Sequence, residues 1–264
     1  MNKIKINGIS VTDYEGTGKP LIFVHAFPLC NRMWDGQVEF FKEKYRVITY
    51  DIRGLGYSNE IDDFQFTMEE LVNDFFEILD HLKIEKVNAC GLSMGGYILL
   101  RAVLREQSRF ETLILADTKA TGENNESLLN RSGSIIKIKS GMKDEFLADF
   151  LKKLLSEKGY RDEKIKSFVS MMMGWMDVKG LCANIIAIAT RTNTYHELKN
   201  INIPCLVIVG RKDSVTPVTD SFALKEGIIN SEFKVIHDAG HLSNIERPGE
   251  FNKSIENFLS KQLS

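Results

Sequence analysis

The chain has 264 residues, 43% hydrophobic and 27% charged, with a formal net charge of −2 and a pI near 6.3. That balance suits one large or two small globular cores, and it provides no basic field for nucleic acid or an anionic membrane. No apolar run reaches membrane-spanning length, and Cys30, Cys90, Cys182 and Cys205 lie far apart without a C-x-x-C pair, which disfavours a zinc site.

The first residues, Met1 to Ile6, alternate polar and apolar like a strand and lack the apolar core of a signal peptide. With four cysteines read as reduced thiols, a cytoplasmic location is expected. Residues 2–6 and 9–14 read as a β-hairpin turning at Asn7-Gly8. Leu21-Ile22-Phe23-Val24 is fully apolar, as a strand covered on both faces requires, and 46–50 is the next strand. A helix over about 68–82, a strand over 86–90, a helix over 94–106 and a strand over 112–116 follow. Strands alternating with helices predict right-handed βαβ units and a mostly parallel sheet. The rhythm then stops. Residues 121–199 are helical in pattern, and strands resume at 204–209 and 233–236 with helices near 217–227 and 249–261.

Several segments at predicted strand ends carry chemistry. In Gly91-Leu92-Ser93-Met94-Gly95 a glycine-flanked serine stands on a sharp turn between a strand and a helix. Such a turn exposes the serine hydroxyl and aims the first helix amides at it. In an open α/β sheet the partners belong at other strand ends. Asp213 lies four residues past a buried strand, where an aspartate is otherwise a common turn or helix-cap residue. His241 follows Ala239-Gly240 on a loop free to reach across the sheet, whereas His237 directly ends a strand. His81 and His196 read as solvated. After the first buried strand, the backbone amide of Phe27 is placed to bind an oxyanion with that of Met94, and His25 reads as holding this loop by hydrogen bonds.

Together these residues resemble the α/β-hydrolase superfamily. The resemblance runs through His25-Ala26-Phe27-Pro28, the D-x-R-G-x-G-x-S segment Asp51 to Ser58, Gly91 to Gly96, Gly210 to Asp213 and Gly240-His241. The segments 25–29, 33–35 and 115–120 are most similar to the group of esterases, 3-oxoadipate enol-lactonases and cofactor-free haloperoxidases (perhydrolases). Ala26 departs from the glycine common in relatives and puts the shape of the oxyanion loop in question.

The resemblance implies a mostly parallel twisted sheet with helices on both faces and a helical cap inserted before the last two strands. Residues 1–120 and 200–264 then form the core, and 121–199 the cap. It implies a serine hydrolase that cleaves a carboxylic ester or lactone of a small, largely apolar molecule. Ser93 is the nucleophile, His241 the base and Asp213 its orienting acid, with Asp117 a rival acid position. No metal or organic cofactor is required, and oligomeric state is not read from the sequence. Trp34, Trp175 and Leu242, with Phe27, Met94 and the Met171–Met176 stretch, are expected around an apolar pocket, although helix packing explains the methionines equally well. The same triad also suits a perhydrolase or a C–C bond hydrolase, and the fold alone suits a ligand-binding receptor.

Overall fold

The computed structural model describes residues 1–61 and 65–262. Strands β1 (Asn2–Ile6) and β2 (Ile9–Asp13) form the hairpin. Asn7 and Gly8 supply the two positive φ angles, 47° and 85°, that its tight turn demands. Then follow β3 (Pro20–Val24), α1 (Asp35–Phe41), β4 (Arg46–Tyr50), α2 (Met68–His81), β5 (Val87–Leu92), α3 (Met94–Arg105) and β6 (Phe110–Ala116). Five helices intervene: α4 (Asn125–Lys139), α5 (Lys143–Leu154), α6 (Glu157–Arg161), α7 (Glu163–Gly174) and α8 (Val178–Thr190). The chain closes with β7 (Cys205–Gly210), α9 (Val218–Gly227), β8 (Ser231–Ile236), α10 (Ser243–Glu246) and α11 (Pro248–Lys261).

The eight strands form one sheet in the order β1-β2-β4-β3-β5-β6-β7-β8. The β1–β2 and β2–β4 pairs are antiparallel, and the pairs from β4 to β8 are parallel. Every residue of β5 and β7 is buried, so helices cover both faces. On the helical layers α1 packs with α11, and α2 with α3. From β3 the chain steps outward to β4, and from β5 it steps the other way. The carboxyl ends of β3 and β5 therefore meet at the switch point where such sheets place their sites.

Local chemistry explains most boundaries. Thr67 and Glu70 cap α2 reciprocally, side chain to backbone in both directions. Within the insertion, Asn124, Ser156, Asp162 and Asp177 each accept a bond from the first turn of α4, α6, α7 and α8. These caps divide one helical stretch into separate rods. Helix α1 has no counterpart in the sequence reading. It has seven residues, contains Gly36 and lacks a side-chain cap at its N-terminus. Tertiary burial of Val38 and Phe41, the latter against Phe23 at 6.2 Å, outweighs these weak local signals. Among the described residues no single helix is long and apolar enough to cross a membrane.

Candidate active site

Ser93 stands between β5 and α3 with φ 55° and ψ −113°, a conformation that costs an L-residue free energy and persists only where the surroundings impose it. The surroundings do impose it. The Ser93 amide donates to the Ala116 carbonyl at 2.9 Å. Its carbonyl accepts from Thr118 Oγ1 at 2.8 Å and from the Tyr97 amide at 3.1 Å. Gly91 and Gly95 permit the turn: a Cβ on Gly95 would lie 2.1 Å from the Val24 carbonyl oxygen, and one on Gly91 2.5 Å from Gly95 backbone. That close approach seats the start of α3 on the end of β3, beside the loop that carries Phe27.

Phe27 precedes Pro28 through a cis peptide bond. His25 anchors this loop: its Nε2 accepts from the Ile52 amide at 2.8 Å, and its Nδ1 lies 2.9 Å from the Ala26 carbonyl. With Nε2 accepting, Nδ1 carries the proton and donates. Complete burial lowers the His25 pKa to about 4, against the smaller opposing pull of the Ala26 carbonyl. The ring is thus a neutral clamp. Among the described residues the amides of Phe27 and Met94 donate to no protein acceptor, although both residues are buried. Free, enclosed donors of this kind are what a developing oxyanion requires.

The other strand ends supply a paired carboxylate and imidazole. His241 Nδ1 lies 2.8 Å from Asp213 Oδ2, and both side chains are at most 1% exposed. Asp213 also accepts from the amides of Val215 and Thr216 at 2.8 and 3.0 Å and from Thr216 Oγ1 at 2.8 Å. Burial raises its pKa, but the charge and hydrogen bond of His241 and the Thr216 donors prevail, leaving it below the ordinary value. Among the described residues neither Ser93 Oγ nor His241 Nε2 hydrogen-bonds another protein group, so each is free for the other or for a substrate.

Asp117 is engaged elsewhere. It accepts from the Gly210 amide at 2.7 Å and from Ser243 Oγ, and burial with the nearby Asp213 charge raises its pKa well above normal. It ties the end of β6 to β7 and to the turn after His241. His237, His81 and His196 are exposed. The Asp51 carboxylate accepts from the Asn31 and Tyr57 amides at 2.6 and 2.9 Å, next to the Ile52 amide that holds His25.

The expected apolar pocket is corrected at two positions. Trp34 has no accessible surface and packs in the core between Phe23 (4.9 Å) and Phe251 (6.1 Å). Trp175 is 41% exposed and faces Tyr57 (6.3 Å) and Arg32 (5.9 Å) on the outer rim. Leu242 is fully buried beside His241 and its amide donates to the Leu154 carbonyl at 3.2 Å. Met172, Met173 and Met176 are buried between elements, the packing role that helical spacing also suggests.

Glu246 was missed by sequence reasoning. Its buried carboxylate accepts from the Gly240 amide at 2.7 Å, from the Ser156 amide at 3.1 Å and from Ser156 Oγ. Gly240 immediately precedes His241, and Ser156 lies between α5 and α6, so one carboxylate ties the insertion to the histidine loop. A glutamate five residues after a loop histidine is too common in sequence to stand out.

A family model for the alpha/beta hydrolase fold matches residues 19–172, and the chain belongs to that family of enzymes. It is 30% identical over 239 residues to 3-oxoadipate enol-lactonase 1 of Acinetobacter baylyi, covering 90% of this chain and 88% of that one. It is 27% identical to the putative non-heme bromoperoxidase BpoC of Mycobacterium tuberculosis, over 94% of this chain and 96% of that one. Among solved structures, a thermophilic esterase from Thermogutta terrifontis superposes over 100% of both chains with a TM-score of 0.93 at 29% identity.

Proposed function

We propose that this α/β hydrolase cleaves a carboxylic ester or lactone through an acyl-enzyme formed on Ser93. The observation that carries the reading is the buried Asp213–His241 pair, at 2.8 Å, on a site whose serine sits in a strained, glycine-dependent elbow. Kinship with an enol-lactonase and likeness to an esterase support the same bond type.

In this reading His241 Nε2 takes the Ser93 proton as Oγ attacks the acyl carbon. Asp213 holds the tautomer with Nδ1 protonated and stabilises the imidazolium that forms. The free amides of Phe27 and Met94 receive the oxyanion. The tetrahedral adduct collapses, His241 protonates the departing alkoxide, and water then releases the acid by the same steps in reverse. The insertion supplies the cap, and Phe150 on α5, 5.9 Å from the Phe27 ring, is its contact with the oxyanion loop.

A p-nitrophenyl ester panel on wild type and Ser93→Ala tests this. Turnover falling at least 10⁴-fold in a Ser93→Ala protein that melts as wild type supports the reading. Retained turnover overturns it.

A further inference from the structure

The loops that carry Asp213 and His241 both rest on the helical insertion, at one short segment between α5 and α6. Helix α5 ends at Leu154 and α6 begins at Glu157, with Leu155 and Ser156 extended between them. The last carbonyls of a helix have no partner within it, and two of them are taken by these loops. The Leu242 amide donates to the Leu154 carbonyl at 3.2 Å, and Ser214 Oγ donates to the Lys153 carbonyl at 3.2 Å. Leu242 follows His241 and Ser214 follows Asp213, so each bond falls on the neighbour of a paired group.

Glu246 completes the join on the other side of His241. Its carboxylate accepts from the Gly240 amide at 2.7 Å, and also from the Ser156 amide at 3.1 Å and the Ser156 hydroxyl. The residues before and after His241 are thus both bonded to the insertion, one through a carboxylate and one directly. The two segments are in backbone contact: a Cβ on Gly240 would lie 2.5 Å from the Ser156 nitrogen, and one on Gly159 would lie 2.2 Å from Glu246 Oε2. Ser156 is 3% exposed and Glu246 9%. Little water competes for these charge-assisted bonds, and a carboxylate left without them would be costly. The sheet contributes its own tie beyond Leu242, from Ser243 Oγ to Asp117.

We infer that Ser156 and Glu246 are positioning residues that, with the 153–156 segment, hold the His241 ring in register with Asp213. This rests on the hydrolase reading above and gives the insertion a part in proton transfer. When segment 153–156 leaves the sheet top, the alignment of His241 is lost with it. A displacement of about 1 Å in such a group can cost about 100-fold in rate.

The test measures p-nitrophenyl ester hydrolysis by Ser156→Ala, alone and combined with Asp213→Asn. Alone it should lower kcat about tenfold and leave KM within about twofold. Asp213→Asn already takes the imidazole out of its working tautomer. Adding Ser156→Ala to it should therefore lower kcat by less than about twofold, because both act through one group. Equal factors in the two backgrounds would mean a merely structural loss and overturn the assignment, as would an unchanged kcat in Ser156→Ala. Glu246→Gln, which keeps the volume, makes the same comparison if Ser156→Ala does not fold. Proton NMR of the resting protein reads the His241 Nδ1 proton without substrate, its downfield signal being assigned by its absence from His241→Gln. The signal should be sharp in wild type and broadened or shifted in Ser156→Ala. An unchanged signal overturns the positioning role whether or not any ester turns over. A signal that responds, in a wild type that turns over no ester, supports that role while the hydrolase reading fails by itself.

Discussion

The sheet-top residues and the helical insertion specify themselves in different ways. Around Ser93 two glycines are held by backbone in contact with backbone, Gly95 against the Val24 carbonyl and Gly91 against Gly95. Such contacts admit one residue type, so the elbow stands out in sequence. Four of the five helices of the insertion are set by side-chain N-caps, and many sequences satisfy that requirement. Gly133, inside α4, has nothing within 4 Å of where its Cβ would lie. Sequence is therefore most constrained at the elbow and least constrained along the insertion.

Replacing one hydrogen-bonding atom in the core should have the largest effect on rate. Asp213→Asn keeps the shape but loses the carboxylate that fixes the His241 tautomer, so kcat should fall about 10³- to 10⁴-fold in ester hydrolysis assays. Asp117→Asn, which lacks a contact with His241, should cost far less; an equal loss from both would erase the distinction between them. Paired glycine substitutions address the regional contrast in stability. Gly95→Ala should destabilise by about 3 kcal/mol in urea melts. Gly133→Ala should stabilise by up to about 1 kcal/mol, since it only improves helix propensity. Two shifts of the same sign would mean that the regions do not differ as described.

A smaller effect belongs to the carboxylate that joins the regions. Glu246→Gln keeps the volume but weakens the bonds to Gly240 and Ser156, so kcat should drop about tenfold while the melting temperature changes by only a few degrees. An unchanged kcat would show that the His241 loop holds its place without the insertion.

The smallest effect is a pH slope. His25 stays neutral in the fold down to about pH 4, whereas in the unfolded chain it takes up a proton near 6.5. On its account the unfolded state binds more protons between these values, so stability falls as pH falls through that window. Asp51 has the opposite sign. Burial raises its pKa to about 6, against the Asn31 and Tyr57 amides that pull it down. The folded state therefore binds more protons between about pH 4 and 6, which offsets the His25 loss. Asp51→Asn removes the offset and should steepen acid destabilisation between pH 6 and 4.5 by about 1–2 kcal/mol, read from urea midpoints. An unchanged slope would contradict this balance.

The alternating strands and helices were legible because fully apolar runs such as Leu21 to Val24 can serve only a doubly covered sheet. The candidate residues Ser93, Asp213 and His241 stood out in the sequence because each follows a strand, and the structure pairs the last two. Helix α1 was not, since it depends on tertiary burial. Trp34 was misplaced because its position beside the oxyanion loop in sequence says nothing of the direction its ring takes, which is inward onto Phe23. Glu246 acts through Ser156, 90 residues away, and a hydrogen bond at such a spacing leaves no periodic signature.

The central claim is that Ser93 carries the acyl group. Acid-quenched enzyme from a single turnover of a p-nitrophenyl ester, digested and analysed by mass spectrometry, measures this directly. An acyl adduct is expected on the peptide containing Ser93, formed with the burst of p-nitrophenol and absent from Ser93→Ala. A burst with the adduct on another residue, or the same adduct yield in Ser93→Ala, would contradict it.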